Sequence, residues 1–156
     1  MRSEERVAAA AAARDLDIEV RAFPEGTRTA ADAAAAIGCK VAQIVKSLVF
    51  VVDGEPVVAL VGGDDRLDEQ RLAAAAGGRE VRRANADEVR AATGYAVGGV
   101  PPFGHARELR CFVDDALFDH DVVWAAAGTP SHVFASRPDA LVAAAGAERA
   151  TLRQAV

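Results

Sequence analysis

The sequence predicts an α+β domain built on a mixed β-sheet. Three observations carry this reading. Helical and strand-like segments intermix without a regular βαβ period, two apolar runs are joined tightly enough to form a hairpin, and an apolar stretch punctuated by glycine and proline interrupts the second half of the chain. The chain has 156 residues, 51% hydrophobic and 26% charged. That is one domain's length and an ordinary globular composition, so 1–156 is read as a single domain.

Ser3 to Arg14 reads as an alanine-rich helix whose acidic first turn suits the helix dipole. Ile18, Val20 and Ala22 alternate with polar neighbours, and Pro24-Glu25-Gly26 breaks the run: a half-buried strand, then a turn. Thr29 to Ile37 is a second helix, with Thr29 and Asp32 as a capping box and Gly38 at the left-handed cap. Ile44 to Val52 (IVKSLVFVV) is β-branched and ends at Asp53-Gly54. Pro56 opens the return run, giving a hairpin whose first strand is buried on both faces.

Asp65 caps a predicted helix from Arg66 to Ala76, closed by Gly77-Gly78, and Val81 marks a short strand. Asn85 with Glu88 starts a helix that ends at Gly94. Tyr95 to His105 carries too many glycines and prolines for a helix or central strand and reads as a shaped loop. Leu109 to Val113, Val122 to Ala127 and His132 to Ala135 follow as strands, with Gly128-Thr129-Pro130 as a turn. Ser136 and Pro138 open a last helix that ends near Gly146.

The net charge is −5, which excludes a protein that holds nucleic acid by charge alone. No stretch approaches the ~20 apolar residues of a membrane span. The alanine run at 8–13 is too short, and too acidic ahead of it, for a signal peptide. Cys39 and Cys111 stand apart in sequence, with no CxxC or zinc spacing, and read as reduced structural thiols. A soluble cytoplasmic protein is expected.

Two features could carry chemistry. Lys46 interrupts the most apolar strand, and lysine is rarely buried without a partner. Either its ammonium snorkels to water from the strand's mouth, or it sits at the rim of an apolar pocket, where it could meet a phosphate or polarise a carbonyl. The loop Gly98-Gly99-Val100-Pro101-Pro102-Phe103-Gly104 is either a structural crossing or a stiff cradle whose amides meet a phosphate, ribose or oxyanion. It is neither a Walker loop nor a dinucleotide fingerprint. His105 follows that loop and His132 follows the next turn, so either could line a pocket, whereas His120 between Asp119 and Asp121 reads as surface. No metal-ligand spacing occurs, so no metal and no cofactor are expected. Ser47, Ser131 and Ser136 lack a nucleophile-elbow context. Arg79, Arg82 and Arg83 form a basic cluster that either touches an RNA stem or is a solvated face.

Together, the helix ending at Gly38 before QIVKSLVF, the stretch GYAVGGVPPFGH and AAAGTPSHVF before the last helix resemble the YbaK family. These are the prolyl-tRNA-synthetase-associated editing domains and their free-standing relatives. The match runs from about Thr29 to Gly146, and the GGVPPFGH form is similar to the free-standing members. The resemblance implies a barrel-like mixed sheet flanked by helices. It also implies a trans-acting hydrolase that removes a wrong amino acid (Ala, Ser, Thr, Cys or 2-aminobutyrate) from tRNA(Pro), a second sieve for errors that binding alone cannot reject.

The same resemblance assigns residues. Lys46 would hold the terminal phosphate or the ester region. Gly98 and the loop through Gly99, Val100, Pro101 and Pro102 would present amides to the ester and place the ribose, whose own 2′-hydroxyl helps the attacking water. His132, Val100, Phe103, Leu48 and Phe50 would form the amino-acid pocket, with His105 as an alternative contact and Gly104 and Gly128 completing the binding set. The partners implied are the tRNA(Pro) acceptor end and prolyl-tRNA synthetase, with no membrane and no DNA. The competing reading is a non-catalytic module that binds an RNA 3′ end or a nucleotide, or docks on a synthetase.

Overall fold

The computed structural model describes residues 1–23 and 29–155, and the turn expected at Pro24-Glu25-Gly26 lies outside them. Among the described residues the order is α1 (Ser3–Ala13), β1 (Arg21–Ala22), α2 (Ala30–Ile37), β2 (Ile44–Val52), β3 (Glu55–Gly62), α3 (Glu69–Ala76), β4 (Val81–Arg83), α4 (Ala86–Thr93), β5 (Arg110–Asp114), β6 (Val123–Ala126), β7 (His132–Ser136), α5 (Pro138–Ala145) and β8 (Glu148–Ala150). All eight strands join one mixed sheet in the order β1-β7-β6-β2-β3-β5-β8, with β4 added beside β2. The fold is α+β, as the sequence predicts.

The hairpin β2–β3 is the spine. Asp53 and Gly54 both take positive φ, the turn geometry that matches strand twist, and the register runs from Val52↔Glu55 to Val45↔Gly62. Side-chain alternation splits the core in two. Val45, Val49, Val58, Leu60 and Val113 face a large cluster with Val7, Phe103, Phe134 and Leu141. Phe50, Val52, Val57, Ala59 and Phe112 face a smaller one with Leu72 and Leu152. Strands buried on both faces read as continuous apolar runs. β2 departs from that rule at Lys46, Ser47 and Leu48, which are only half-buried.

On its other edge β2 is shared. β6 runs parallel to it at Ile44 and Val45, and β4 runs antiparallel at Phe50, Val51 and Val52. Between those contacts no strand among the described residues pairs with this edge, and the sheet forks.

The capping box of Thr29 and Asp32, the left-handed Gly38, the box of Asn85 and Glu88, the left-handed Gly94 and the left-handed Gly146 all stand as the sequence predicts. Two expectations are corrected. The helix expected from Arg66 begins at Glu69, capped by Asp68, whose carboxylate accepts from the Gln70 and Arg71 amides. Leu67 is pulled into a β-bridge with Arg153, and the Arg66 carbonyl accepts from the Gln154 amide, so 66–67 are extended and Asp65 caps nothing. The strand expected over Ile18–Ala22 pairs only at Arg21 and Ala22, because Ile18 and Val20 spend their side chains on the core.

Asp114 is fully buried. It accepts from the amides of Ala116, Leu152 and Arg153 and pairs with the Arg153 guanidinium at 3.2 Å. Arg153 also bonds Asp115, whose carboxyl is thereby held below the ordinary aspartate range, with Thr151 as the larger cause. This network fastens β8 and the segment after it to β5. No helix among the described residues is long and apolar enough to cross a membrane.

Removing the buried carboxylate strands the amides of Ala116, Leu152 and Arg153, while the Arg153 guanidinium keeps Asp115. Each unsatisfied buried donor costs about 1–3 kcal/mol, so Asp114→Ala should cost about 3 kcal/mol in urea unfolding, with loss of amide protection at 148–154. An unaltered denaturation midpoint would show that the network adds nothing.

Candidate active site

The fork in the sheet opens into a cavity of about 370 Å³, within the range of small-molecule sites. Its floor is β2 from Ile44 to Val49. Its walls come from α2, from Arg83 and Ala84 at the end of β4, from Val97, Gly98 and Val100 of the loop, and from Trp124 to Ala126 of β6. The geometry follows from pairing. The Val49 carbonyl accepts from the Ala84 amide on the forked edge. A residue's N–H and C=O share an edge and alternate with period two along a strand. The backbone N–H and C=O of Ser47 therefore face the gap, where neither β6 nor β4 reaches.

Ser47 is itself one of the residues that line the cavity. Its hydroxyl is buried and has no hydrogen-bond partner, alone in this among the buried side-chain polar atoms of the described residues. An unsatisfied buried hydroxyl costs about 1–3 kcal/mol. A folding optimum has no use for it, whereas a ligand that supplies the missing partner does. In the sequence Ser47 has no nucleophile-elbow context to mark it, and its neighbour Lys46 is the residue that marks this stretch.

Lys46 lines the same cavity from the neighbouring position. Its ammonium donates to the Asp65 carbonyl at 2.5 Å, which leaves two further protons to give. Burial pulls its pKa below the ordinary lysine value, against the opposing pull of the Asp65 and Asp64 carboxylates. The Asp65 carboxyl is pushed up, first by burial and then by Asp64.

Gly98 has φ +88°, a conformation side chains rarely adopt, and a Cβ there would lie 3.4 Å from Pro130. The Gly99 amide donates to Ala96 and its carbonyl accepts from Gly128. A Cβ on Gly99 would sit 2.7 Å from the Gly128 carbonyl oxygen, so the two turns press backbone to backbone. Within the described residues the amides of Gly98 and Val100 make no hydrogen bond, unlike that of Gly99.

The structure thus brings Lys46, Leu48, Gly98 and Val100 to one cavity and places the other sequence candidates elsewhere. Phe103 is in the core, its ring 5.7 Å from that of Phe134. Pro101 lends its carbonyl to His105 Nε2 at 2.7 Å. Burial depresses the His105 pKa, so a neutral ring donating Nε2–H is the fitting tautomer. Pro102 is buried beside Phe103 in chain. Gly104 and Gly128 let the chain pass α1 closely, at Ala10 and Ser3. His132 Nδ1 meets the Thr129 hydroxyl and its Nε2 lies 3.9 Å from Glu4. Phe50 lines a separate recess on the other face of β2. Arg82 is tied to Glu88 by two bonds of 2.8 and 2.7 Å, which hold the Glu88 pKa down at about 2; of the basic cluster, Arg83 alone borders the cavity. No group of three or more His, Cys, Asp or Glu among the described residues is arranged to hold a metal ion. Burial raises the Cys111 thiol to about 12, which keeps it inert.

A family model described as an aminoacyl-tRNA editing domain matches residues 24–144. The chain belongs to the aminoacyl-tRNA editing domain family. A solved structure of a candidate trans-editing enzyme for prolyl tRNA synthetase superposes on this editing domain with a TM-score of 0.94 and 43% identity over 98% of both chains. The proline–tRNA ligase of Maridesulfovibrio salexigens is 37% identical over 116 residues, 72% of this chain and 20% of the ligase. A protein of Enterococcus faecalis named as a candidate Cys-tRNA(Pro)/Cys-tRNA(Cys) deacylase, EbsC, is 28% identical over 78% of this chain and 74% of its own. The editing domain spans about a fifth of the length of the curated proline–tRNA ligases it matches first.

Ser47→Ala removes an unpaired hydroxyl and leaves the strand intact. Its melting temperature should equal or exceed that of the wild type, because no hydrogen bond is lost with the hydroxyl. A lowered melting temperature would show that the hydroxyl has a partner in the folded protein.

Proposed function

We propose that this editing domain acts in trans on mischarged tRNA(Pro), hydrolysing the ester of a small amino acid such as Ala, Ser, Thr, Cys or 2-aminobutyrate. The observation that carries this reading is the convergence of Lys46, Ser47 and the Gly98–Val100 turn on one cavity whose remaining walls are mostly apolar. The cavity has room for an amino acid and a ribose. Its walls, among them Val49, Val89, Val100 and Val133, suit an aliphatic or small side chain. The proline–tRNA ligase relatives and the prolyl-tRNA trans-editing neighbour favour tRNA(Pro) over other acceptors.

In the reaction, water adds to the ester carbonyl, the bond to the terminal ribose oxygen breaks, and the proton lost by water ends on that oxygen. Negative charge gathers on the former carbonyl oxygen. The Lys46 ammonium and the unpaired amides of Gly98 and Val100 are the donors available to it, already fixed by fold and loop. Ser47 takes a hydroxyl of the ribose, whose 2′-hydroxyl orients the water. Prolyl-tRNA synthetase, as the source of the mischarged product, is the partner this role requires.

The test is release of amino acid from tRNA(Pro) charged with each of the five candidates, with Pro-tRNA(Pro) as control. At least one mischarged substrate should be hydrolysed well above buffer and above the control. Absence of release from all five contradicts the proposal, and tight binding without turnover would favour the non-catalytic module. Lys46→Ala should lose about 10²–10³-fold in kcat with a melting temperature within a few degrees. Because the cation is the working form and its pKa is depressed, the wild-type rate should fall with rising pH before the ordinary lysine range is reached. Gly98→Ala forces a side chain into left-handed backbone, at about 1–2 kcal/mol, and should slow turnover; full activity would remove the loop from the mechanism.

A further inference from the structure

The recess on the opposite face of β2 has no role in the hydrolysis just described. It is an open hollow of about 600 Å³ bordered by Arg66, Arg83, Glu69, Phe50, Lys46 and Leu48, the last two and Arg83 being shared with the cavity. The two hollows therefore abut along β2, and a ligand longer than one nucleoside can run from the cavity into the recess across Lys46 and Arg83.

We propose that this recess is a second binding site, which takes the phosphates of the single-stranded RNA leading into the cavity. The inference rests on the deacylase reading for the identity of that strand and extends it to a surface the family assignment does not describe.

Charge carries the argument. The chain is acidic overall, and many of its arginines are spent internally. Arg82 is tied to Glu88, Arg153 to Asp114 and Asp115, Arg71 to Asp68, and Arg110 to Glu148. Arg66 and Arg83 are exposed, and neither forms an ion pair among the described residues. They stand on two different elements that the bridge at Leu67 and the β2–β4 pairing bring to one hollow. Of the acidic residues there, Asp68 spends its carboxylate on the α3 cap and on Arg71, which leaves Glu69 against Arg66 and Arg83, while Lys46 is held beside Asp64 and Asp65. Phe50 is only 4% exposed, so it offers no face for base stacking, and the site reads backbone charge rather than sequence.

Two measurements test this on the wild type and the Arg66→Gln variant, which touches the recess and not the cavity and whose melting temperature should be unchanged because the side chain is exposed. The first is fluorescence anisotropy of a labelled, uncharged RNA ending in 5′-ACCA-3′ across a salt series. The variant should bind about tenfold more weakly, and its slope of log affinity against log salt should be shallower by about 0.7, the value for one phosphate contact on a single strand. The second is deacylation of aminoacyl-tRNA beside a 3′-O-aminoacyl-adenosine that carries no phosphate. The variant should lose about tenfold in kcat/KM on the tRNA, chiefly through KM, and stay within twofold on the nucleoside ester. Equal RNA affinity in the two proteins, no RNA binding by the wild type, or equal losses on both esters overturns the proposal. Wild-type RNA binding through Arg66 without hydrolysis of either ester would retain the recess and defeat the deacylase reading. Hydrolysis of both esters, unaltered in the variant, would do the reverse.

Discussion

A strand in the middle of a sheet has two edges to satisfy, and β2 satisfies only one of them along its length. β3 covers one edge from Val45 to Val52. On the other, β6 arrives parallel at the start and β4 arrives antiparallel at the end. Strands of opposite direction cannot merge into one ladder, so the segment between them stays unpaired. The cost is an exposed set of backbone groups in the centre of the fold and a hydroxyl, that of Ser47, without a partner. The return is a slot with polar groups fixed at its floor and apolar walls on either side. Sites built on strands hold their geometry more tightly than sites built on loops alone.

The remaining architecture keeps that slot open. α1 runs behind the loops that close it, and its alanine-rich surface lets them come close: Gly104 passes Ala10, Gly128 passes the Ser3 carbonyl, and Arg6 donates to the Gly94 carbonyl while stacking on Tyr95. Gly99 and Gly128 then lock the two loops to each other through backbone contact. The glycines and prolines in the loop thus serve different purposes. Gly98 borders the cavity, Gly99 and Gly104 permit close packing, and Pro101 anchors the histidine that follows. On the far side, the buried Asp114 holds the C-terminal segment against β5, and that segment sets Arg66 and Leu67 in extended form.

Much of this was legible in the sequence, and the reasons are local. Capping pairs at Thr29 and Asn85, left-handed glycines and an Asp-Gly turn are read within four residues, so those boundaries stand. The anomaly of a lysine within an apolar strand led to the site because burial is costly enough that such a residue needs a reason. What was missed depends on distant partners. Asp65 and Asp68 both have the chemistry of a helix cap; the choice is made by Arg153 and Gln154, more than 80 residues away. His105 and His132 follow promising turns, yet their rings are used by Pro101, Thr129 and Glu4. Ser47 carries no sequence signal as a ligand group, because its lack of a partner is a property of the fork. Pairing between strands far apart in the chain fixes that fork, and periodicity within a segment does not report it.

The central claim is that the unpaired stretch of β2 and the turn at Gly98 grip one aminoacyl-nucleoside between them. Its most direct test is a titration of the protein with a non-hydrolysable 3′-alanylamido-3′-deoxyadenosine, followed by backbone amide NMR. The account predicts saturable shifts concentrated at Ser47, Leu48, Gly98 and Val100, with the amides of Phe103, His105 and His132 little changed. Shifts centred on the histidines and absent from residues 46–48 would contradict it.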